Sequence, residues 1–280
     1  MPERPVVLSI AGCDPSAGAG VTADVKTAAA LDCYAITCPT ALTIQSTQGV
    51  FGVEPVRSEV VRDTLRRLAE DVEIAAVRIG MLGSGDVATE VVRFLRDFKP
   101  RNVVLDPVLR SSSGAALLDA RGIAVIRAEL LPICDVVTPN LLEGLALAGD
   151  DSDDLAAADS WEKALPIARK TARRLHEMGA KWVVLTGGDL AEANDFISFR
   201  AGALTDEHIL TGSRIESNAT HGTGCAFATA LACRLARGAQ VIDAVRDAKE
   251  FVRRAITAAY PIGKGTGPMN HLFRLDDKSE

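Results

Sequence analysis

Apolar positions along the chain fall into two alternating textures. Short, nearly continuous apolar runs occur as "PVVLSIA" (5–11), "AAVRIGML" (75–82), "NVVLDPV" (102–108), "DVVTP" (135–139) and "KWVVLTGG" (181–188). Their length and mostly apolar character predict strands covered on both faces. A stretch rich in β-branched residues, "YAITCPTALTIQ" (34–45), reads as extended. Residues 20–31, 58–70, 84–98, 121–130, 140–148, 160–178, 223–237 and 241–260 instead carry helical patterns. Within 196–215, "FISFRAG" and "EHILTGSRI" alternate and predict a hairpin. Strands alternating with helices predict an α/β fold with a central, mostly parallel sheet and helices on both faces.

Composition narrows this picture. The 280 residues are 48% hydrophobic, enough for a sizeable core, and no linker, long Pro-rich tract or repeat divides them, so a single domain over 1–280 is expected. The acidic stretch "GDDSDDLAAADS" (149–160) reads as a surface loop. The net charge is −6 with no basic stripe, which argues against nucleic acid as the main partner. ATP remains open, because local dipoles bind it. No segment approaches 18 apolar residues, so no membrane partner is expected. The opening "MPERPVVLSIAG" does not read as a secretory signal, and a cytoplasmic location is expected. Cysteines at 13, 33, 38, 134, 225 and 233 show no C-x-x-C spacing and read as reduced thiols.

Ligands of parallel sheets gather at the carboxyl ends of the strands. Here those ends carry "GCDPSAGAG", "QSTQG", "GMLGSGD", "DPVLRSSSG", "PNLLE" and "TGGD". "GAGVTA" (18–23) matches a dinucleotide fingerprint in letters only. Cys13, Asp14 and Pro15 separate it from the strand, and no acidic residue closes the next strand. A glycine loop admitting a small ligand to the backbone fits better. Asp24, one turn into the following helix, suits either a substrate hydroxyl or the helix dipole. No Walker A pattern is present, "AAYPIGKG" (258–265) departing from it at both ends.

"HGTGC" (221–225) is the strongest chemical signal. Gly222, Thr223 and Gly224 present successive backbone N–H groups at a helix start, an array that attracts anions. The same field is expected to lower the pKa of Cys225, whose thiolate could take a proton from an attacking hydroxyl. An inert core cysteine is the plainer alternative. In "NLLE", Asn140 and Glu143 lie three apart, and with Asp106 they suit Mg²⁺ held through water and phosphate, or else a helix capping box. Gln45 at a strand end carries both a donor and an acceptor for a heterocycle's edge. Met81 could pack on a flat ring or belong to the core.

In order, "VLSIAGCDPSAGAGVTADVKT", "ALTIQSTQGV", "IGMLGS", "VVLDPVL…SSG", "VVTPNLLE", "VVLTGG" and "THGTGCAFATALA" resemble the hydroxymethylpyrimidine/phosphomethylpyrimidine kinases of thiamine biosynthesis over roughly residues 5–270. The resemblance implies a ribokinase-like three-layer sandwich. It implies MgATP-dependent phosphorylation of 4-amino-5-hydroxymethyl-2-methylpyrimidine to the monophosphate and then the diphosphate. By the same resemblance Gln45 reads the pyrimidine, with Asp24, Ala19 and Met81 lining its pocket. Gly222, Thr223, Gly224 and Cys225 form the anion hole, with Cys225 as base. Asp106, Asn140 and Glu143 serve the Mg²⁺–phosphate region, and Thr186 and Gly188 lie near the nucleotide. A homodimer is implied by analogy. The chain differs from many members in having Thr186 where they carry Lys, and Arg110 in a flap where they carry a lysine before Ser-Gly. Pyridoxal kinases share this fold with Asp in place of Cys225, so vitamin B6 kinase activity is the second expectation. A pyrimidine sensor without catalysis is the third.

Overall fold

The computed structural model describes residues 3–111, 114–150, 160–188, 190, 192–202 and 204–276. Most of the acidic stretch expected as a loop, 151–159, and two residues of the flap, 112–113, lie outside them. One sheet of nine strands runs through the described chain: β1 (Val6–Cys13), β2 (Tyr34–Ser46), β3 (Gly49–Pro55), β4 (Ala76–Ile79), β5 (Val103–Leu105), β6 (Val136–Val137), β7 (Trp182–Leu185), β8 (Asp195–Ala201) and β9 (Leu204–Leu210). Their order across the sheet is β3-β2-β1-β4-β5-β6-β7-β8-β9. The strands from β2 to β7 are parallel, and β3, β8 and β9 add antiparallel edges.

Helices cover both faces. Strand residues alternate sides, so Leu8, Ile10, Val77, Ile79, Val103 and Leu105 enter one apolar cluster. There they meet α2 (Ser58–Asp71), α3 (Gly85–Phe98), α4 (Ala120–Val125) with its π-helical continuation Ile126–Leu130, α5 (Leu141–Ala148) and α6 (Trp161–Glu177). Val7, Ala76, Val104 and Val136 face the opposite layer of α1 (Gly20–Ala30), α7 (Thr223–Ala236), α8 (Val241–Thr257) and the short α9 (Phe273–Asp276). Each fully buried Leu, Ile or Phe contributes about 1.5–3 kcal/mol, so the two layers hold the sheet. No helix among the described residues is long and apolar enough to cross a membrane.

The expected elements appear; β4 to β7 are shorter than expected, while β1 and β2 run slightly longer. "AAVRIGML" pairs only over Ala76–Ile79, because the chain leaves the sheet at Gly80 toward the cleft. The alternating stretch 196–215 does form a hairpin, as β8 and β9. Two features were not expected. β3 folds back on the far half of β2 and makes a hairpin that extends past the end of β1. Along it Thr43 and Gln45 bond toward residues of the cleft, while Leu42 and Ile44 are 56% and 67% exposed on the other side. The second is Arg78, a charge in the middle of a strand expected to be apolar on both faces. Strand alternation turns it toward α1 and α7, beside Ser9 of β1 with which it is in register.

Candidate active site

The site begins where β1 ends. After Cys13 the chain turns through "DPSAGAG" into α1, and Gly20 takes φ +58° with its Cα against the carbonyl of Gly12, where a Cβ would lie 2.1 Å from that oxygen. Asp14, 3% exposed, closes the loop on itself. Its carboxylate accepts hydrogen bonds from Ser16 N and Oγ at 2.8 and 2.7 Å, Gly18 N at 3.1 Å and Ala19 N at 2.9 Å. His221 Nε2 adds a fifth at 2.8 Å. Burial pushes the Asp14 pKa up, but the hydrogen bonds from His221 and Ser16 outweigh it, and the value falls to about 2.

His221 leads directly into the glycine turn. Gly222 caps α7 in a left-handed conformation, φ 79° and ψ 13°, and a Cβ there would stand 1.9 Å from the carbonyl oxygen of Gly18. Only glycine allows this approach. It brings the head of α7 against the β1–α1 loop. Among the described residues, the amides of Gly222, Gly224 and Cys225 donate to no backbone carbonyl, and that of Thr223 only to Thr220 at 3.4 Å. Gly224 is exposed and has open space over its Cα. Unpaired donors, the helix dipole and free volume therefore coincide at one place.

Beneath the turn lies a charged cluster. Arg78, fully buried, donates to Asp24 Oδ2 at 3.2 Å and Asp106 Oδ2 at 2.6 Å, and its charge acts on the Cys225 thiol. A Cβ at Gly80 would lie 2.0 Å from one guanidinium nitrogen, so that glycine makes room for the charge. Asp24 is fully buried and accepts further from Ser9 Oγ at 2.5 Å and Thr229 Oγ1 at 2.6 Å. Its carboxylate therefore faces the cluster rather than a substrate hydroxyl. Burial raises the pKa of both carboxylates, against the pull of Arg78.

The thiol departs from expectation. Cys225 is half-buried at the helix start, and its pKa is pushed up to about 11 rather than lowered. Burial is the largest cause. Asp106 and Asp24 push the same way, while Arg78 and the amide of Gly20 pull against them. Burial and the two carboxylates together outweigh the guanidinium and the amide.

The remaining predicted residues fall into two groups. Met81, 8% exposed, packs with Ala41 and Leu117 beneath the flap, its sulfur against Gly12. Ala19 caps the start of α1, beside Gly18. Farther along the sheet, Asn140 and Glu143 form a capping box at α5: Asn140 Oδ1 accepts from Glu143 N at 2.8 Å and Glu143 Oε2 from Asn140 N at 3.0 Å. Thr186 bridges to Asn140 and Gly188 is exposed, so these two expected nucleotide contacts and the cap share one rim. Asp195, unread in the sequence, holds this rim from behind by accepting from Gly187 N at 3.1 Å and Lys249 Nζ at 2.6 Å. Among the described residues no three His, Cys, Asp or Glu side chains converge as a metal site. Mg²⁺ held chiefly by phosphate and water needs only one or two protein oxygens. Asp106, whose side chain keeps 7% exposure at the cleft, fits that lesser demand.

Unpaired amides at the head of α7 thus stand beside a thiol at the strand ends of the sheet, and the comparisons with known proteins place the chain among phosphotransferases. The chain belongs to the phosphomethylpyrimidine kinase family, whose model matches residues 14–270. It is 39% identical to the hydroxymethylpyrimidine/phosphomethylpyrimidine kinase of Streptomyces coelicolor, over 98% of this chain and 96% of that protein. It is 38% identical to the thiamine biosynthesis bifunctional protein ThiED of Geobacter sulfurreducens, covering 98% of this chain and only 54% of that longer protein. The crystal structure of an ADP complex of Bacillus subtilis pyridoxal kinase superposes with a TM-score of 0.82 at 30% identity, over 98% of this chain and 100% of that one.

Two outcomes follow from the charges. Asp14 has a depressed pKa, so its contribution is present above the unfolded value of 3.8 and is lost as pH falls toward 2. Urea unfolding should show wild type losing about 2 kcal/mol across that window and Asp14→Asn losing none of it. Equal slopes for the two proteins would remove the Asp14 anchor. Iodoacetamide alkylation of Cys225, followed by mass spectrometry, should accelerate steadily from pH 7 to 10, since thiolate is the reactive form. A plateau below pH 8 would contradict the raised thiol.

Proposed function

We propose that this chain transfers the terminal phosphoryl group of ATP to the hydroxymethyl oxygen of 4-amino-5-hydroxymethyl-2-methylpyrimidine. It then phosphorylates that monophosphate to the diphosphate, for thiamine biosynthesis. The observation that carries this reading is the glycine turn at 222–225, where the unpaired amides of Gly222, Gly224 and Cys225 stand beside a thiol and follow His221, which contacts Gln45. Near-full-length identity to hydroxymethylpyrimidine/phosphomethylpyrimidine kinases supports the same choice.

Phosphoryl transfer passes through a loose transition state, so positioning and charge stabilisation dominate. The amides of Gly222, Thr223, Gly224 and Cys225 receive the moving phosphoryl group. Thr186, Gly188 and Asn140 border the nucleotide. Asp106 and Glu143 would hold Mg²⁺, which when bound would supply neutralisation of phosphate charge. Gln45 reads the ring, Met81 and Ala19 line its pocket, and Asp24 acts from below by fixing Arg78. Cys225 takes the hydroxyl proton only in its thiolate form, which the raised pKa keeps to a small fraction at neutral pH, so most of the rate enhancement falls to the cradle. One domain carries all of this, in the cytoplasm.

Coupled ADP release should show turnover with the pyrimidine and its monophosphate, and slower turnover with pyridoxine. The likeness to a pyridoxal kinase motivates that last arm. Binding without turnover would favour a sensor instead. Cys225→Ala should lower kcat by about 10²–10⁴-fold with pyrimidine KM little changed, and undiminished kcat would place the base elsewhere.

The exposed apolar side of the β2–β3 hairpin, with Leu42, Ile44 and 70%-exposed Phe51, is the face we assign to a homodimer. Sedimentation should give a dimer for wild type and a weakened one for Phe51→Asp. A monomeric wild type would end that assignment.

A further inference from the structure

His221 is held between two partners that make opposite demands. Its Nε2 lies 2.8 Å from Asp14 Oδ2 and 3.1 Å from the amide nitrogen of Gln45. On the other side of that amide, Gln45 Oε1 lies 3.0 Å from Thr43 Oγ1, which is itself 3.0 Å from the carbonyl oxygen of Cys13. These contacts cannot all be hydrogen bonds as drawn. An ionised carboxylate only accepts, so Nε2 must carry a hydrogen, whether the ring is neutral or charged. A second donor, the Gln45 NH₂, then faces it. Thr43 meanwhile has one proton for two acceptors.

Exchanging the amide's oxygen and nitrogen removes the facing donors and the doubled demand on Thr43, leaving only the His221 N–H shared between two acceptors, and the two amide atoms are distinguished only by their hydrogen bonds. Gln45 Oε1 then accepts from His221 Nε2–H, shared with Asp14. Gln45 Nε2 donates to Thr43 Oγ1, which donates to Cys13 O. Each amide atom spends one of its two bonding positions on a flank. One N–H and one lone pair remain for a ligand. Gly18 is part of the arrangement, because a Cβ there would meet the His221 ring at 2.3 Å.

We propose that His221, anchored by Asp14, is the positioning residue that locks the orientation of Gln45 and thereby makes the site discriminate a 4-aminopyrimidine from its 4-oxo analogue. A free glutamine amide can turn over and pair with either ring, since the 4-amino edge offers a donor beside an acceptor nitrogen and the 4-oxo edge offers the reverse. A clamped amide matches one edge and leaves two unpaired polar contacts with the other. The proposal rests on Gln45 facing the pyrimidine, as proposed above.

Steady-state kinetics with 4-amino-5-hydroxymethyl-2-methylpyrimidine and its 4-oxo analogue test both layers. Gln45→Ala should raise pyrimidine KM and leave ATP KM within about twofold. If it raises both equally, ring reading falls and the clamp with it. His221→Leu should cut the 4-amino over 4-oxo preference in kcat/KM about tenfold or more. His221→Gln, which restores an N–H donor at similar reach, should recover most of that preference. Selective loss in Gln45→Ala together with an undiminished preference in His221→Leu would overturn the clamp alone. NMR of ¹⁵N-histidine-labelled wild type reads the ring directly. Nε2 of His221 should be protonated through neutral pH, and an unprotonated Nε2 would overturn the orientation.

Discussion

Five hydrogen-bond donors converge on the carboxylate of Asp14, and one of them comes from 207 residues away. Four belong to the loop itself and fix its path out of the sheet. The fifth, from His221, ties that loop to the head of α7, where Gly222 lets two backbones meet at a distance that a side chain would forbid. The anion cradle depends on this junction. Without it the first turn of α7 would still have unpaired amides, as every helix does, but nothing would aim them at the place where β1, β2 and the 78–81 segment end.

Below the junction the protein tolerates an expensive feature. Arg78, Asp24 and Asp106 are all buried, and two acids share one base. Such clusters rarely stabilise relative to apolar packing, because desolvation offsets the attraction, whereas removing one member costs several kcal/mol. The cluster instead acts through its two carboxylates, which add to burial in keeping the thiol above it protonated, against the pull of Arg78. It also changes the role of Asp24 from a residue that touches substrate to one that holds Arg78, with Ser9 and Thr229 completing its hydrogen bonds.

The layered fold was legible because its strands are short apolar runs and its helices carry periodic stripes, both local signals. β3 was not, since "GVFGVEP" contains two glycines and a proline and is held by pairing with β2 rather than by its own pattern. The glycine turn at the head of a helix and the capping box were both readable from spacing, and for Asn140 and Glu143 the cap is realised. What stayed hidden was long-range. Arg78 looked like a single interruption in "AAVRIGML", and its partners lie 54 and 28 residues away. His221 and Asp14 were in view inside quoted motifs, yet only folding places one against the other. The thiol's pKa moves opposite to the sequence expectation for the same reason: the helix start is visible in sequence, while the burial that raises the pKa most, and the carboxylates that add to it, come from other elements.

Everything in the proposed chemistry requires that the terminal phosphate, the hydroxymethyl oxygen and the sulfur of Cys225 meet at the head of α7. A crystal structure with a non-hydrolysable ATP analogue and the pyrimidine would measure that meeting directly. The terminal phosphate should sit within about 3 Å of the Gly222–Cys225 amides, with the hydroxymethyl group between it and the sulfur and the ring edge on Gln45. A phosphate chain bound away from the glycine turn, or a pyrimidine whose hydroxymethyl group points away from Cys225, would contradict the account.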